Sequence, residues 1–198
     1  MDTKKIVIQG HFMKVILKRK DPMMNTISYV VLAMLVRSPL TGYDLKRFLN
    51  LFWEAHHSQI YPTLKELRKQ ELIEIVDIPD GKRKIYDITP AGKDLVKEWV
   101  FTKSHAPSQK DEFLAKVFTI SALDRDTSKF LIMERKQYYQ EQLNEYSKVL
   151  NSLSNLNKEE RRKNFGRELI LERKIRLCKE ELSWCDWSEA KIEEYFAE

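Results

Sequence analysis

Between Thr41 and Thr89 the chain carries two short helical patterns separated by a turn, then two β-branched stretches joined by a basic turn. Few folds accept that order. The first helical pattern holds Thr41-Gly42-Tyr43-Asp44-Leu45 and the second Ser58-Gln59-Ile60-Tyr61-Pro62-Thr63-Leu64-Lys65-Glu66-Leu67. The stretches Ile73–Pro79 and Lys84–Thr89 read as strands, with Asp80-Gly81 as a strong two-residue hairpin signal. Helix, turn, helix, hairpin is the order of a winged helix–turn–helix, which serves to place its second helix in the major groove of DNA. Function is therefore approached through architecture and not through catalytic chemistry.

Local chemistry supports each element. A first helix over Thr26–Arg37 is apolar nearly all round (Val30, Val31, Leu32, Met34, Leu35, Val36), hence buried, and Ser38-Pro39 ends it. Thr41 caps the next helix, Asp44 completes a capping box, and Leu45, Phe48, Leu49 and Phe52 form its inner face. From His57 or Ser58 the third helix places Ile60, Leu64 and Leu67 on one stripe. Tyr61, Lys65 and Arg68 lie on the opposite stripe, with Ser58 and Gln59 at the tip. Pro62 is tolerated if it falls near the first turn, where few amide donors are committed. Lys82-Arg83-Lys84 follow the hairpin turn and suit phosphate contact, or else form a solvated turn. Thr89-Pro90 opens a fourth helix through Leu95, Trp99 and Val100 to about Lys103.

Composition excludes other classes. In 198 residues there are only 5 glycines, which argues against a β-sandwich or a glycine-rich nucleotide fold. Charged residues at 33% beside 42% hydrophobic describe a soluble globular chain. The run Tyr29–Val36 is too short to span a bilayer, and no secretory leader is legible. Cys178 and Cys185, seven apart on one helix, lie too far apart to bridge, and no zinc-like spacing accompanies them. A reducing cytoplasm is the expected compartment. No nucleophile elbow, phosphate loop or metal-ligand pair occurs, so neither an enzyme nor a metal or other cofactor is expected. The net charge of +5 is uneven: residues 1–23 hold six Lys/Arg against two Asp, 24–104 hold 12 against 10 acids, and 105–198 hold 17 against 18.

Three segments follow. Residues 1–23 are a basic extension, in which Ile6-Val7-Ile8 and Val15-Ile16-Leu17 suit a short hairpin, a disordered arm or an appended leader. Residues 24–104 form the winged unit, and 105–198 a helical one. The last segment reads as a helix over Asp111–Ala122, a long helix from about Asp126 to Leu153, and another capped by Asn157 with Glu160. Ile132, Tyr139, Leu143, Tyr146, Leu150 and Leu153 form a heptad seam interrupted by Lys136, while Leu171, Ile175, Cys178, Leu182 and Cys185 form the facing one. Two such seams suit a homodimer, or packing within one chain. His56-His57 diverge on a turn and suit a solvated or capping role. Trp184, Trp187, Tyr195 and Phe196 suit a sealed core or subunit interface, or the wall of a ligand cavity.

Thr41-Gly42-Tyr43-Asp44-Leu45, Gln59-Ile60-Tyr61-Pro62-Thr63-Leu64, Lys84-Ile85-Tyr86-Asp87-Ile88-Thr89-Pro90-Ala91-Gly92 and Trp99 together resemble the PadR family of bacterial transcription regulators. The C-terminal half is similar to the long helical domain of the larger PadR subfamily and of a related virulence-gene activator. The resemblance implies a mainly α fold with a small two-stranded β-wing: a winged helix–turn–helix domain plus a C-terminal helical dimerisation domain. It further implies a homodimeric regulator, usually a repressor, on an inverted-repeat double-stranded DNA operator. Carried over residue by residue, DNA contacts fall on Ser58, Gln59, Tyr61, Lys65 and Arg68 of the third helix, on Tyr43, and on Lys82, Arg83 and Lys84 of the wing. Some members respond to phenolic acids or planar drugs, and Trp99 matches a tryptophan lining the drug site of a subgroup that lacks the long C-terminal domain. One departure is Glu71, where the family usually has glycine: a left-handed turn there would strain Glu by roughly 1 kcal/mol, unless the turn is built differently. The rival reading is a winged-helix module that binds protein and no operator.

Overall fold

The computed structural model describes residues 24–53, 57–77, 84–104, 106–107 and 110–197. The basic extension, His56, and the hairpin turn with Asp80-Gly81, Lys82 and Arg83 lie outside the described residues. The chain divides into two compact units, with the division between residues 105 and 106.

In the first unit the order is α1 (Thr26–Leu35), β1 (Leu40–Thr41), α2 (Gly42–Leu49), α3 (His57–Lys69), β2 (Ile73–Asp77), β3 (Ile85–Ile88) and α4 (Pro90–Val100). Asn25 caps α1, its side chain accepting the Ser28 N–H at 3.1 Å and the Ser28 hydroxyl at 2.6 Å. The core gathers Val31, Leu32 and Leu35 of α1, Leu45 and Leu49 of α2, Ile60, Leu64 and Leu67 of α3, and Ile73 and Ile88 of the sheet. Phe52, expected on the inner face of α2, lies beyond that helix's end and is exposed, because the helix stops at Leu49. Pro62 is deeper in α3 than expected. In its second turn it leaves the Ser58 carbonyl without the usual i→i−4 amide donor. One turn on, the Thr63 hydroxyl donates to the Gln59 carbonyl at 2.7 Å.

The sheet gains a third strand that local patterning could not reveal. β1 pairs antiparallel with β3 through Leu40↔Tyr86 and Thr41↔Ile85, so the order is β1-β3-β2. β2 pairs with β3 from Ile73↔Ile88 outward, with an irregularity between Ile75 and Asp77.

The exit of α3 is a complete Schellman motif. The Leu72 N–H reaches the Leu67 carbonyl and the Glu71 N–H the Arg68 carbonyl, both at 3.0 Å. Glu71 stands at φ 56°, so the turn is the glycine-type one, with Glu bearing the left-handed angle. The same turn is bonded to the start of α4. Thr89 gives its N–H to the Leu72 carbonyl at 3.1 Å and its hydroxyl to the Glu71 carbonyl at 2.9 Å, and its hydroxyl oxygen accepts the Gly92 N–H at 3.2 Å. Gly92 is required by proximity: a Cβ there would stand 2.3 Å from the Leu72 carbonyl oxygen.

The second unit holds α5 (Glu112–Phe118), a 3₁₀ turn (Ile120–Ala122), α6 (Arg125–Ser154) and α7 (Lys158–Ala197). Asp124 caps α6, accepting the Thr127 N–H, and Asn157 caps the start of α7, accepting the Glu160 N–H. α6 and α7 pack along the expected seams, with Ile132, Leu153, Leu171, Ile175, Cys178 and Cys185 buried. Both cysteines are free thiols, and burial raises their pKa. Lys136 does not simply interrupt the seam. It meets Asp186 at 2.7 Å and Glu189 at 2.8 Å on α7, and those bonds raise its pKa. Arg135 bonds Asp111 at 2.8 Å and Glu181 at 3.0 Å. It also lies over the rings of Phe113 and Tyr139, at 4.5 and 4.7 Å from their centroids. Burial alone would lower its pKa, but the two carboxylates outweigh that and raise it. One guanidinium thus ties the start of α5 to both long helices. Among the described residues, no helix is long and apolar enough to cross a membrane.

Three stability outcomes follow from these contacts. Glu71→Gly should raise stability by about 1 kcal/mol in denaturant unfolding, while Glu71→Ala gives no such gain; equal values for the two would remove backbone strain as the cause. Gly92→Ala should cost about 2–3 kcal/mol, since backbone and not a side-chain tip must yield; a neutral result would mean the α3–α4 joint is slack. Arg135→Met should cost about 2 kcal/mol, between an exposed and a fully buried pair, and unchanged unfolding would show that the clamp contributes nothing.

Candidate nucleic-acid interface

α3 presents two faces with opposite fates. Ile60, Leu64 and Leu67 are at most 1% exposed, whereas Ser58, Gln59, Tyr61, Lys65 and Arg68 are all exposed. The helix is anchored by its aliphatic stripe, so the polar stripe faces away from the core. Lys69, missed in the sequence reading, is exposed one turn beyond Lys65 and extends the cationic stripe. Its signal was present as a third basic residue in the last two turns. Glu66 on this helix accepts the Gln70 side-chain amide at 2.8 Å.

α2 meets this face at a point of close approach. A Cβ on Gly42 would stand 2.9 Å from Cε1 of Tyr61 and 3.2 Å from its hydroxyl oxygen. Gly42 therefore admits the Tyr61 ring, which remains 50% exposed. Tyr43, next in α2, is 66% exposed. The start of α2 is fixed by Thr41, whose hydroxyl oxygen accepts the Asp44 N–H at 3.1 Å while the hydroxyl donates to the Asp44 carboxylate at 2.7 Å. Because Thr41 also pairs with Ile85 of β3, the cap of α2 and the strand of the wing are one hydrogen-bonded piece.

Beneath the exposed stripe lies Tyr86 of β3, only 9% exposed. Burial raises its pKa, as does its nearness to Tyr61, while Arg68 opposes the rise. Tyr86 thus feels both Tyr61 and Arg68, and it shares one buried cluster with Ile60, Leu64 and Leu67 of α3. Lys84 stands exposed immediately before β3, at the wing side of the sheet. Trp99 belongs to α4 and stacks on Tyr29 of α1, with ring centroids 5.4 Å apart and planes 9° from parallel. It is partly buried against the core. Of the expected site residues, Tyr43, Ser58, Gln59, Tyr61, Lys65 and Arg68 are exposed around α2 and α3 and Lys84 on the wing, while Trp99 sits apart in an aromatic stack. No cluster of His, Cys, Asp and Glu fit to hold a metal occurs among the described residues.

Comparison with known proteins follows this geometry closely. Residues 31–98 match the model of the transcriptional regulator PadR-like family, and residues 109–193 that of the virulence activator alpha C-terminal domain. The negative transcriptional regulator PadR of Bacillus subtilis (strain 168) is 31% identical over 175 residues, covering 82% of this chain and 95% of the relative. The crystal structure of Bacillus subtilis PadR in complex with operator DNA has a TM-score of 0.72 at 30% identity, covering 85% of this chain and 99% of that one. The Bacillus subtilis PadR complex with p-coumaric acid has a TM-score of 0.69 at 28% identity, with the same coverage. The chain carries a winged helix–turn–helix joined to a virulence-activator-type helical domain, and it belongs to the PadR-like family of transcriptional regulators.

Proposed function

We propose that this protein is a cytoplasmic, sequence-specific repressor that binds an inverted-repeat operator as a homodimer and is released by a small aromatic effector. The observation that carries it is the division of α3, with Ile60, Leu64 and Leu67 fully buried and Gln59, Tyr61, Lys65 and Arg68 exposed opposite them. Residues 24–104 act as the DNA-binding unit and residues 105–198 as the dimerisation unit.

Each contact has a chemical assignment. Lys65 and Arg68 meet phosphates or guanine edges, and Gln59 pairs with adenine. Tyr61, Ser58 and Tyr43 reach phosphates or a thymine methyl. Lys84, with Lys82 and Arg83 beside it in sequence, touches the backbone from the wing. Dimerisation is supported by apolar side chains left exposed on the long helices, including Phe130 and Met133 on α6 and Phe165 and Leu169 on α7. Two-fold symmetry then calls for half-sites about one helical turn apart, or a multiple of it. The relative named a negative regulator, and the relatives solved with operator DNA and with p-coumaric acid, support the repressor and effector parts. The effector contact carried over to Trp99 falls on a ring that stacks on Tyr29 of α1.

Selection of bound duplexes from a random pool should return a two-fold symmetric site. On that site Lys65→Ala and Arg68→Ala should each weaken binding by about 1–3 kcal/mol, with melting and assembly state unchanged. The wild-type log–log salt slope should be roughly −4 to −5, for four to six neutralised phosphates. Affinities of both variants equal to wild type at several salt concentrations would remove α3 from the interface.

A further inference from the structure

α3 carries a single acid, Glu66, and it lies on the outward side of the helix. At about 100° per residue, it falls roughly 50° from the direction opposite the buried stripe. Gln59 sits two turns earlier on the same flank, Tyr61 and Arg68 occupy the other flank, and Lys65 and Lys69 lie between. We propose that Glu66 is a specificity-determining residue for the operator, its carboxylate accepting the N4 amino proton of a cytosine in the major groove. The inference rests on the DNA-binding reading of α3 and deepens it.

Charge makes the residue conspicuous. A carboxylate brought among phosphates costs affinity, so it opposes every non-specific contact that the neighbouring cations make. No ion pair within the fold accounts for it. Neither Lys65 beside it nor Lys69 at i+3 pairs with it among the described residues. Its bond is to the Gln70 side-chain amide, which donates to Oε1 at 2.8 Å. Oε2 makes no bond within the described residues and remains an acceptor on the outward face.

The donor code of the groove sets the base. Guanine and thymine present acceptors on their edges, which repel a carboxylate, whereas cytosine and adenine each present an amino donor. Beside the adenine amino group stands N7, a further acceptor, while cytosine has no acceptor on that edge. A carboxylate oxygen therefore favours cytosine. The same code separates Glu from Gln. A glutamine amide accepts from N6 and donates to N7 of adenine, so exchanging one carboxylate oxygen for an amide nitrogen should exchange the base that is read.

Duplex selection from a random pool is run with the full-length wild type, Glu66→Ala and Glu66→Gln. Affinities for single-position variants of the selected site are then measured by fluorescence anisotropy. Both substitutions place good helix formers at an exposed position, and circular dichroism checks that helicity is unchanged. Wild type should select cytosine at one position of each half-site, binding it about tenfold more tightly than thymine or adenine there. Glu66→Ala should lose that preference to within about twofold, keep every other position, and hold a scrambled duplex at least as tightly as wild type. Glu66→Gln should select adenine in place of cytosine. A wild type that selects no site sinks the DNA-binding reading itself, and this inference with it. A wild type that selects a site which neither variant alters leaves that reading intact and overturns the cytosine contact. Loss of preference at all positions together, or a weaker hold of Glu66→Ala on scrambled duplex, would make Glu66 a support of the helix and overturn it equally.

Discussion

The joint between the end of α3 and the start of α4 is the constraint on which the winged unit depends. The carbonyls of Glu71 and Leu72 both point at Thr89, which takes them with its hydroxyl and its amide and then caps α4 with the same side chain. Every group in this knot is committed, so α3 cannot rotate about its axis without breaking bonds that cap two helices. A rotation of α3 by one residue, about 100°, would carry Lys65 off the outward stripe and turn a charged side chain toward the core. The cost of holding the helix so firmly is visible at Glu71, where a residue with a Cβ occupies the left-handed region. The joint is over-determined by its neighbours, which is how such an angle persists.

A second lock acts at the other end of the helix. Gly42 admits the Tyr61 ring, Thr41 binds the start of α2 to β3, and Tyr86 of that strand joins the buried cluster that anchors the aliphatic stripe of α3. The three short motifs that carried the family resemblance are thus parts of one contact set. Their glycines are needed by particular neighbours, an aromatic ring at Gly42 and a backbone carbonyl at Gly92. This accounts for motifs that lie far apart in sequence yet appear together. It also separates two roles within one helix, since Tyr61 is held by the fold on one side and open to solvent on the other.

What was legible in the sequence was what depends on near neighbours. The stripe Ile60, Leu64, Leu67, the Thr41 and Thr89 caps and the two seams of the long helices are set by spacings within a few turns. What was not legible depends on residues brought together by folding. β1 is two residues long and exists only because β3 lies beside it. The left-handed angle at Glu71 required knowing that the turn is pinned to Thr89. Lys136 looked like a break in a heptad because its partners, Asp186 and Glu189, are some fifty residues away on α7. The start of α3 at His57 was legible, and counting from it already places Pro62 in the second turn.

The long helices show that a polar residue in an apolar seam has more than one meaning. At Lys136 the cation reaches two carboxylates of the facing helix, so the interruption aligns α6 against α7 and is satisfied within the chain. Arg135 does the same for α5, through Asp111 and Glu181. At Ser188 the pattern is the reverse: the residue is small, and its hydroxyl is buried without a hydrogen-bond partner. A seam selected only for stability would place an aliphatic residue there, removing an unmet donor, a change worth about 1–3 kcal/mol. Packing therefore explains Lys136 and Arg135, whereas at Ser188 the seam keeps a buried donor unmatched, at a cost to stability that an aliphatic residue would not carry.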